Sequence, residues 1–400
     1  MAQSPSDYNR TAQARGLPAL HPDALAHSGR VAAHLRAAVR AAGGWLPFDE
    51  FMRLALYAPG LGYYTAGSAK LDPGDARTPA GDFTTAPELT PLFGQALARQ
   101  VAQVLAATGT DTVLEFGAGS GALAESVLAA LAARGMAVRY QILEVSADLR
   151  QRQQARLAPF DGQVAWLDSQ PAAFEGCVLA NEVLDAMPVR LFAWHAPDRL
   201  CERGVVLDAQ EDFAWEERPA DDTLADAVAA RMPALPGYAS EVNLQAEAWM
   251  RELGGWLVRG AALLIDYGFP QREYYHPQRA GGTLMCHLRH HAHADPFVAP
   301  GLQDITAHVD FTAMADAALA GGLDVLGYTS QARLLSNAGL IELLAQHDPA
   351  QARDYARWAG PVHRLLSEAE MGELFKALAV GRGIDPPLLG FARGDRRDAL

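Results

Sequence analysis

Cysteine is scarce in this chain of 400 residues. The three present, Cys177, Cys201 and Cys286, are far apart, odd in number and outside any CxxC. That excludes a disulfide framework and a cysteine-built zinc site. Free thiols fit a reducing compartment, so the expectation is a cytoplasmic protein, or a matrix protein in a mitochondrial setting. Positive charge is also short: 33 Lys and Arg stand against 47 Asp and Glu, a net charge of −14. That balance does not suit gripping phosphate backbones, so nucleic acid is not an expected partner. Apolar runs such as Ala261–Asp266 fall far short of the ~20 residues that span a bilayer, so membrane insertion is not expected. Met1–Gly29 lacks the apolar stretch of a secretory signal, and Asp7 and Asp23 speak against a transit peptide.

Half of the residues are hydrophobic, and a chain this long can bury a sizeable core. Val31, Leu35 and Val39 recur at four-residue spacing in the predicted helix Ala24–Ala42, which Gly43 and Gly44 end. The segment Trp45–Tyr64 is dense in aromatics and reads as packing around a helix begun near Asp49. A loop over 66–82 precedes a helix from about Pro91 to Ala107. Then the pattern alternates. Strands are predicted at Thr112–Phe116, Val138–Glu144, Val164–Leu167, Gly176–Ala180 and Ala261–Tyr267, with helices at Ala122–Arg134 and Ala147–Leu157. That alternation means an α/β fold with a parallel sheet covered on both faces. Further strands are expected at Gly282–Cys286 and Leu323–Thr329. The domain reading is a flexible start over 1–29, a helical and lid segment over 30–110, and a core over 111–188 and 258–345. An insertion with an acidic run occupies 189–257, and a C-terminal helical region 346–400.

The turn after the first strand reads Glu115-Phe116-Gly117-Ala118-Gly119-Ser120-Gly121-Ala122. Small residues let a ligand approach the backbone, and the helix start beyond offers free N–H groups. Gly117-x-Gly119-x-x-Ala122 alone also satisfies a dinucleotide fingerprint. Glu115 and the third glycine, Gly121, separate the two cases. A carboxylate there repels a pyrophosphate but can receive an ammonium, and ExGxGxG is the pattern of S-adenosylmethionine sites. A tight turn with no ligand is the plainer alternative. Glu144 ends the second strand, where an acid in nucleotide-binding sheets accepts the ribose hydroxyls. Asp168, after the third strand, either takes a hydrogen bond from the adenine amino group or starts a turn.

The fourth strand leads into Asn181-Glu182-Val183-Leu184-Asp185-Ala186-Met187-Pro188-Val189. Two carboxylates near a pocket are costly unless they meet a cation, and a guanidinium offers five donors in a fork that suits them. The alternative is a helix capped by Asn181 with Glu182 in its first turn. In Gly81–Gly94, Thr85 and Glu88 read either as part of a lid over the cofactor or as a capping box. Asp266-Tyr267-Gly268, at a strand's carboxyl end, is either a substrate contact or a turn. The His287, His290, His291 and His293 group reads as an exposed loop, and no metal is expected.

Six stretches carry a resemblance: Phe51–Tyr64, Gly81–Gly94, Leu114–Gly121, Asn181–Val189, Ile265–Gly268 and Asp304–Phe311. Together they resemble the MidA family, the NDUFAF-seven-like methyltransferases of bacteria and mitochondria. The resemblance covers most of the chain from about residue 30 to 345. It implies a class I methyltransferase with a Rossmann-like, seven-stranded, mostly parallel sheet, S-adenosylmethionine as cofactor, and methylation of protein arginine. The mitochondrial member is linked to symmetric dimethylation of a respiratory complex I subunit in support of assembly of that complex. Carried over by position, Gly117, Gly119 and Gly121 would hold the cofactor, with Glu144 on its ribose. Asp82, Thr85 and Glu88 would line the pocket, and Glu115, Asp168 and Asn181 complete the cofactor set. Glu182 and Asp185 would face the substrate as the catalytic pair. A small-molecule methyltransferase and a cofactor-binding assembly factor without catalysis are the alternatives. The sequence is compatible with a homo-oligomer.

Overall fold

Thr112–Phe116 (β1) is fully buried along its length and sits in the seven-strand path of an eight-stranded sheet. The other strands are Arg139–Leu143 (β2), Val164–Leu167 (β3), Phe174–Asn181 (β4), Leu257–Phe269 (β5), Asp324–Ser330 (β6) and Phe375–Arg382 (β7). The structure, a computed structural model, describes residues 16–67, 85–385 and 387–400. The sheet order is β6-β7-β5-β4-β1-β2-β3. β1 to β5 pair in parallel, while β7 runs antiparallel to both β5 and β6. A two-residue strand, Val309–Asp310, adds a parallel pairing to the far end of β5.

The chain divides into two compact units, and this sheet belongs to the one built from Thr84–Asp185, Ala246–Gln271 and Val309–Leu400. Helices Pro91–Thr108 (α1), Ala122–Ala133 (α2) and Ala147–Arg156 (α3) belong to it as well. Local chemistry sets their ends. Thr90 Oγ1 accepts from Leu92 N–H at 3.3 Å, Pro91 opens α1, and Gly109 closes it at φ +68°. Ser146 Oγ accepts from Leu149 N–H and starts α3. Phe93, Leu97, Val113, Val127, Ile142 and Leu179 lie in the same buried core. The sheet's βαβ connections leave the carboxyl ends of β1, β2, β4 and β5 at one edge, where α/β sheets bind ligands.

The second unit comprises the described part of Met1–Phe83 with Ala186–Gln245 and Arg272–His308. Its five-stranded antiparallel sheet contains Leu46–Pro47, Arg190–Ala196, Arg199–Leu207, Phe213–Pro219 and Ala239–Val242. Helices Pro22–Ala41 and Phe48–Tyr57 bury Val31, Leu35, Phe48 and Phe51 in its core. The aromatic segment is thus packing, with Phe51 edge-on to Phe213 and Phe297.

The region 189–257 lies between β4 and β5, and its hairpins form one unit with the N-terminal helices. The acidic run sits on a strand and a helix cap: Glu217 pairs with Arg203 at 2.8 Å, and Asp221 with Arg190 at 2.9 Å. The region 346–400 is not simply helical. After helix Ala352–Leu366 it supplies β7, buried between β5 and β6. Ala-rich FKALAVGR is covered on both faces, so it carries no alternation to mark it as a strand. Finally, α1 lies in the sheet-bearing unit and not with the N-terminal segment to which 30–110 assigned it.

Candidate functional site

The turn after β1 is built by three glycines at φ +59° (Gly117), +53° (Gly119) and +86° (Gly121), a backbone path that side chains disfavour. A Cβ on Gly119 would meet nothing within 4 Å, so the turn presents bare main chain to open space. Gly121 also caps α2, whose first N–H groups lie just beyond.

Glu115, two residues earlier, points into the core. It is 2% exposed and its Oε2 accepts from the Tyr140 hydroxyl at 2.6 Å. Burial pushes its pKa up to about 7, with the Tyr140 bond opposing and the charge of Glu144 adding to the rise. The structure therefore gives this carboxylate a partner beneath the turn. Glu144 stands at the end of β2. Its Oε1 accepts from Ser146 N–H at 2.9 Å and its Oε2 from Gln153 Nε2 at 3.0 Å. Burial raises its pKa too. Val145, the next residue, is 66% exposed, an apolar side chain left open beside that acid.

Asp168 is set apart. Its side chain is almost wholly exposed and pairs with Arg150 at 2.7 Å. Asp82 lies outside the described residues. Thr85 occupies the cap position of the short helix Ala86–Leu89 but makes no side-chain cap bond, so the capping-box reading does not hold. Glu88 instead accepts from the Ser120 hydroxyl of the glycine turn and from Arg156 Nη1 at 3.2 Å.

Glu182 follows β4 at φ +54°, a left-handed conformation for a residue with a side chain. No helix starts at this point; Asn181 is the last residue of β4, so the helix-cap alternative is set aside. Asn181 Nδ2 donates to Glu182 Oε1 at 3.1 Å, while its Oδ1 is buried with no partner among the described residues. Burial pushes the Glu182 carboxyl up to about 7, and the negative Asp185 adds to the rise. Asp185 is buried and accepts from the Tyr267 hydroxyl.

A third acid completes the group. Asp266, 1% exposed at the far part of β5, accepts through Oδ2 from Leu184 N–H at 3.0 Å and Asp185 N–H at 3.2 Å. Its Oδ1 accepts from Tyr267 N–H at 2.9 Å. Burial, then the charges of Asp185 and Glu182, hold its pKa well above the carboxylate range. Of the two residues expected as either a substrate contact or a turn, Asp266 shapes the 184–185 turn and Tyr267 bonds Asp185. Three carboxylates so close are chemically a site for a cation, since each raises the others' proton affinity.

The donor set fits an adenosyl sulfonium cofactor. An open glycine turn, a buried acid with an exposed valine beside it, and a buried amide oxygen with no described partner all lie at the strand ends. The strand order with one antiparallel strand and this glycine turn define a class I S-adenosylmethionine-dependent methyltransferase. Residues 96–329, more than half of the chain, match the family model described as "Putative S-adenosyl-L-methionine-dependent methyltransferase", and the chain belongs to that family. Its cofactor is S-adenosylmethionine. It is 51% identical to a solved Burkholderia thailandensis protein bound to S-adenosyl-homocysteine, with a TM-score of 0.89 over 96% of this chain and 100% of that one. It is 28% identical to the Drosophila melanogaster "Protein arginine methyltransferase NDUFAF7 homolog, mitochondrial", over 91% of this chain and 89% of that protein. The human protein of the corresponding name is 25% identical, over 87% of this chain and 82% of its own length. Among the described residues no helix is long and apolar enough to cross a membrane.

Proposed function

We propose that this enzyme methylates an arginine side chain of a protein. The observation that carries the reading is the convergence of Glu182, Asp185 and Asp266, with Glu182 held at φ +54°. Backbone strain of this kind costs about 1–3 kcal/mol and persists where function uses it. The relatives named as protein arginine methyltransferases support the choice of acceptor. A subunit of respiratory complex I is the acceptor that the family resemblance implies.

Bound S-adenosylmethionine supplies an electrophilic methyl group. Everything else falls to the chain. Gly117, Gly119, Gly121, Glu144 and Asn181 hold the cofactor, and Thr85 and Glu88 border it. Asp168 would meet the adenine only from its exposed ion pair with Arg150. Glu115 steadies the turn from below through Tyr140. A charged guanidinium is a poor nucleophile, with a pKa above ~12. Glu182 would polarise the electrons of the guanidinium toward the attacking nitrogen and take up the proton that this nitrogen loses as it gains the methyl, S-adenosyl-homocysteine being the other product. Asp185, fixed by the Tyr267 hydroxyl, orients the guanidinium plane. Asp266 fixes the 184–185 backbone from which Asp185 projects. The scarcity of cysteine and the free state of its three thiols support a reducing compartment.

The test is radiolabelled methyl transfer from S-adenosylmethionine into extracts depleted of this enzyme. Label recovered as methylarginine from the protein fraction supports the reading. Label confined to small extractable metabolites overturns it. Glu182→Gln should keep cofactor binding and lower turnover by about 100-fold or more, the usual scale for a positioned proton acceptor.

A further inference from the structure

Gln153 lies on α3, is wholly buried, and spends both ends of its amide on the site's framework. Its Nε2 donates to Gly119 O at 2.9 Å and to Glu144 Oε2 at 3.0 Å. Its Oε1 accepts from Trp166 Nε1 on β3 at 2.9 Å. Chemistry fixes the direction of the amide. An indole N–H only donates, so the oxygen must face Trp166. The NH₂ then faces two acceptors, a peptide carbonyl and a carboxylate. Reversed, the amide would set its oxygen against both and leave the indole donor facing an NH₂.

We infer that Gln153 is a positioning residue for the cofactor, holding the Gly119 carbonyl and the Glu144 carboxylate in one fixed relation. Being fully buried, it acts through those groups. Glu144 is pinned at both oxygens, by Gln153 on one and Ser146 N–H on the other. Each oxygen keeps a lone pair for a ligand hydroxyl. Trp166 sets the amide, the amide sets Glu144 and the glycine turn, and the ligand meets a surface already ordered. Ordering done before binding is not charged to affinity.

The inference rests on the assignment of Glu144 to the cofactor. The informative variant is Gln153→Glu. It keeps the size and the acceptor for Trp166 but loses both donors and faces Glu144 with a second carboxylate. Gln153→Met keeps the volume and adds no charge. Calorimetry with S-adenosyl-homocysteine should show binding weakened roughly tenfold or more in Gln153→Glu, the scale of hydrogen bonds to a charged group. Gln153→Met should weaken it several-fold, with the ligand-free melting temperature of each variant within a few degrees of wild type. A folded variant of either kind that binds as tightly as wild type overturns the inference. Wild-type protein that fails to bind S-adenosyl-homocysteine overturns the cofactor assignment itself, so the two failures are distinct.

Discussion

Glu182 and Glu115 are both pushed up to about 7, and each makes a different prediction. Burial and the neighbouring Asp185 push Glu182 up to about 7. A proton acceptor works only when ionised, so the pH profile of kcat/KM should rise through about 7 and level above it. Rates flat between pH 6 and 8 would remove Glu182 from the proton's path. Glu115 is buried against Tyr140 and also titrates near 7 in the folded chain, against an ordinary value of 4.5. Between those values the native state binds more protons than the unfolded one. Its contribution is therefore present in full below about 4.5 and is lost as pH rises to about 7, an order of 3 kcal/mol by the shift. Glu115→Gln keeps an acceptor for the Tyr140 hydroxyl and removes the buried charge. Thermal melts should show the variant more stable than wild type at pH 8 and close to it at pH 4.5. Equal destabilisation at both values would mean that the carboxylate's shape matters and its charge does not.

At the scale of elements, the βαβ core was legible because each strand is a short apolar run closed by glycine or a polar cap. β1 and β3 match their predicted bounds, and α1 to α3 match within about a residue at each end. β7 was not legible, since a strand buried on both faces reads like an Ala-rich helix. The hairpins of 190–219 carry turn signals in the sequence. Pro197-Asp198 breaks the first pair, and Asp208, whose side chain accepts from Gln210 and Asp212 N–H groups, turns the second. Of the site, the glycine turn, Glu144, Glu182 and Asp185 stood out as motif residues. Gln153 did not, and Asp266 stood out only as a contact or a turn, because the roles of both exist only once α3 and β5 are folded beside the turns they hold. Gly94 shows what such placement demands. It lies inside α1, where alanine is ordinarily the better residue by roughly 0.5–1 kcal/mol. A Cβ there would stand within 2.8 Å of Ser126 Cβ on α2 and closer still to its Oγ. Gly94→Ala should therefore destabilise by about 1–3 kcal/mol in denaturant melts, the usual scale of overpacking. Adding Ser126→Gly should recover part of the loss. A stabilised Gly94→Ala protein would show that α1 and α2 part without penalty.

At the scale of the whole molecule, charge decides how an acceptor is met. The chain carries a net charge of −14, and its proposed acceptor is a cationic side chain. Fields from many surface carboxylates reach beyond contact distance only at low salt; the Debye length is about 10 Å at 0.1 M and about 3 Å at 1 M. Long-range attraction of a basic protein segment should therefore weaken with salt. Of the acid group itself, Asp185 and Asp266 are buried and Glu182 is half-buried, where screening acts less. These two regimes separate in kinetics. For an acceptor whose arginine lies among other basic residues, KM should rise several-fold between 50 mM and 500 mM salt while kcat moves little. For a peptide with one arginine among neutral residues, the rise in KM should be much smaller, because only the short-range pairing with the buried carboxylates remains. A KM for the basic acceptor that stays constant or falls with salt would mean that the negative surface serves solubility alone, and that acceptor choice rests wholly on the buried acids.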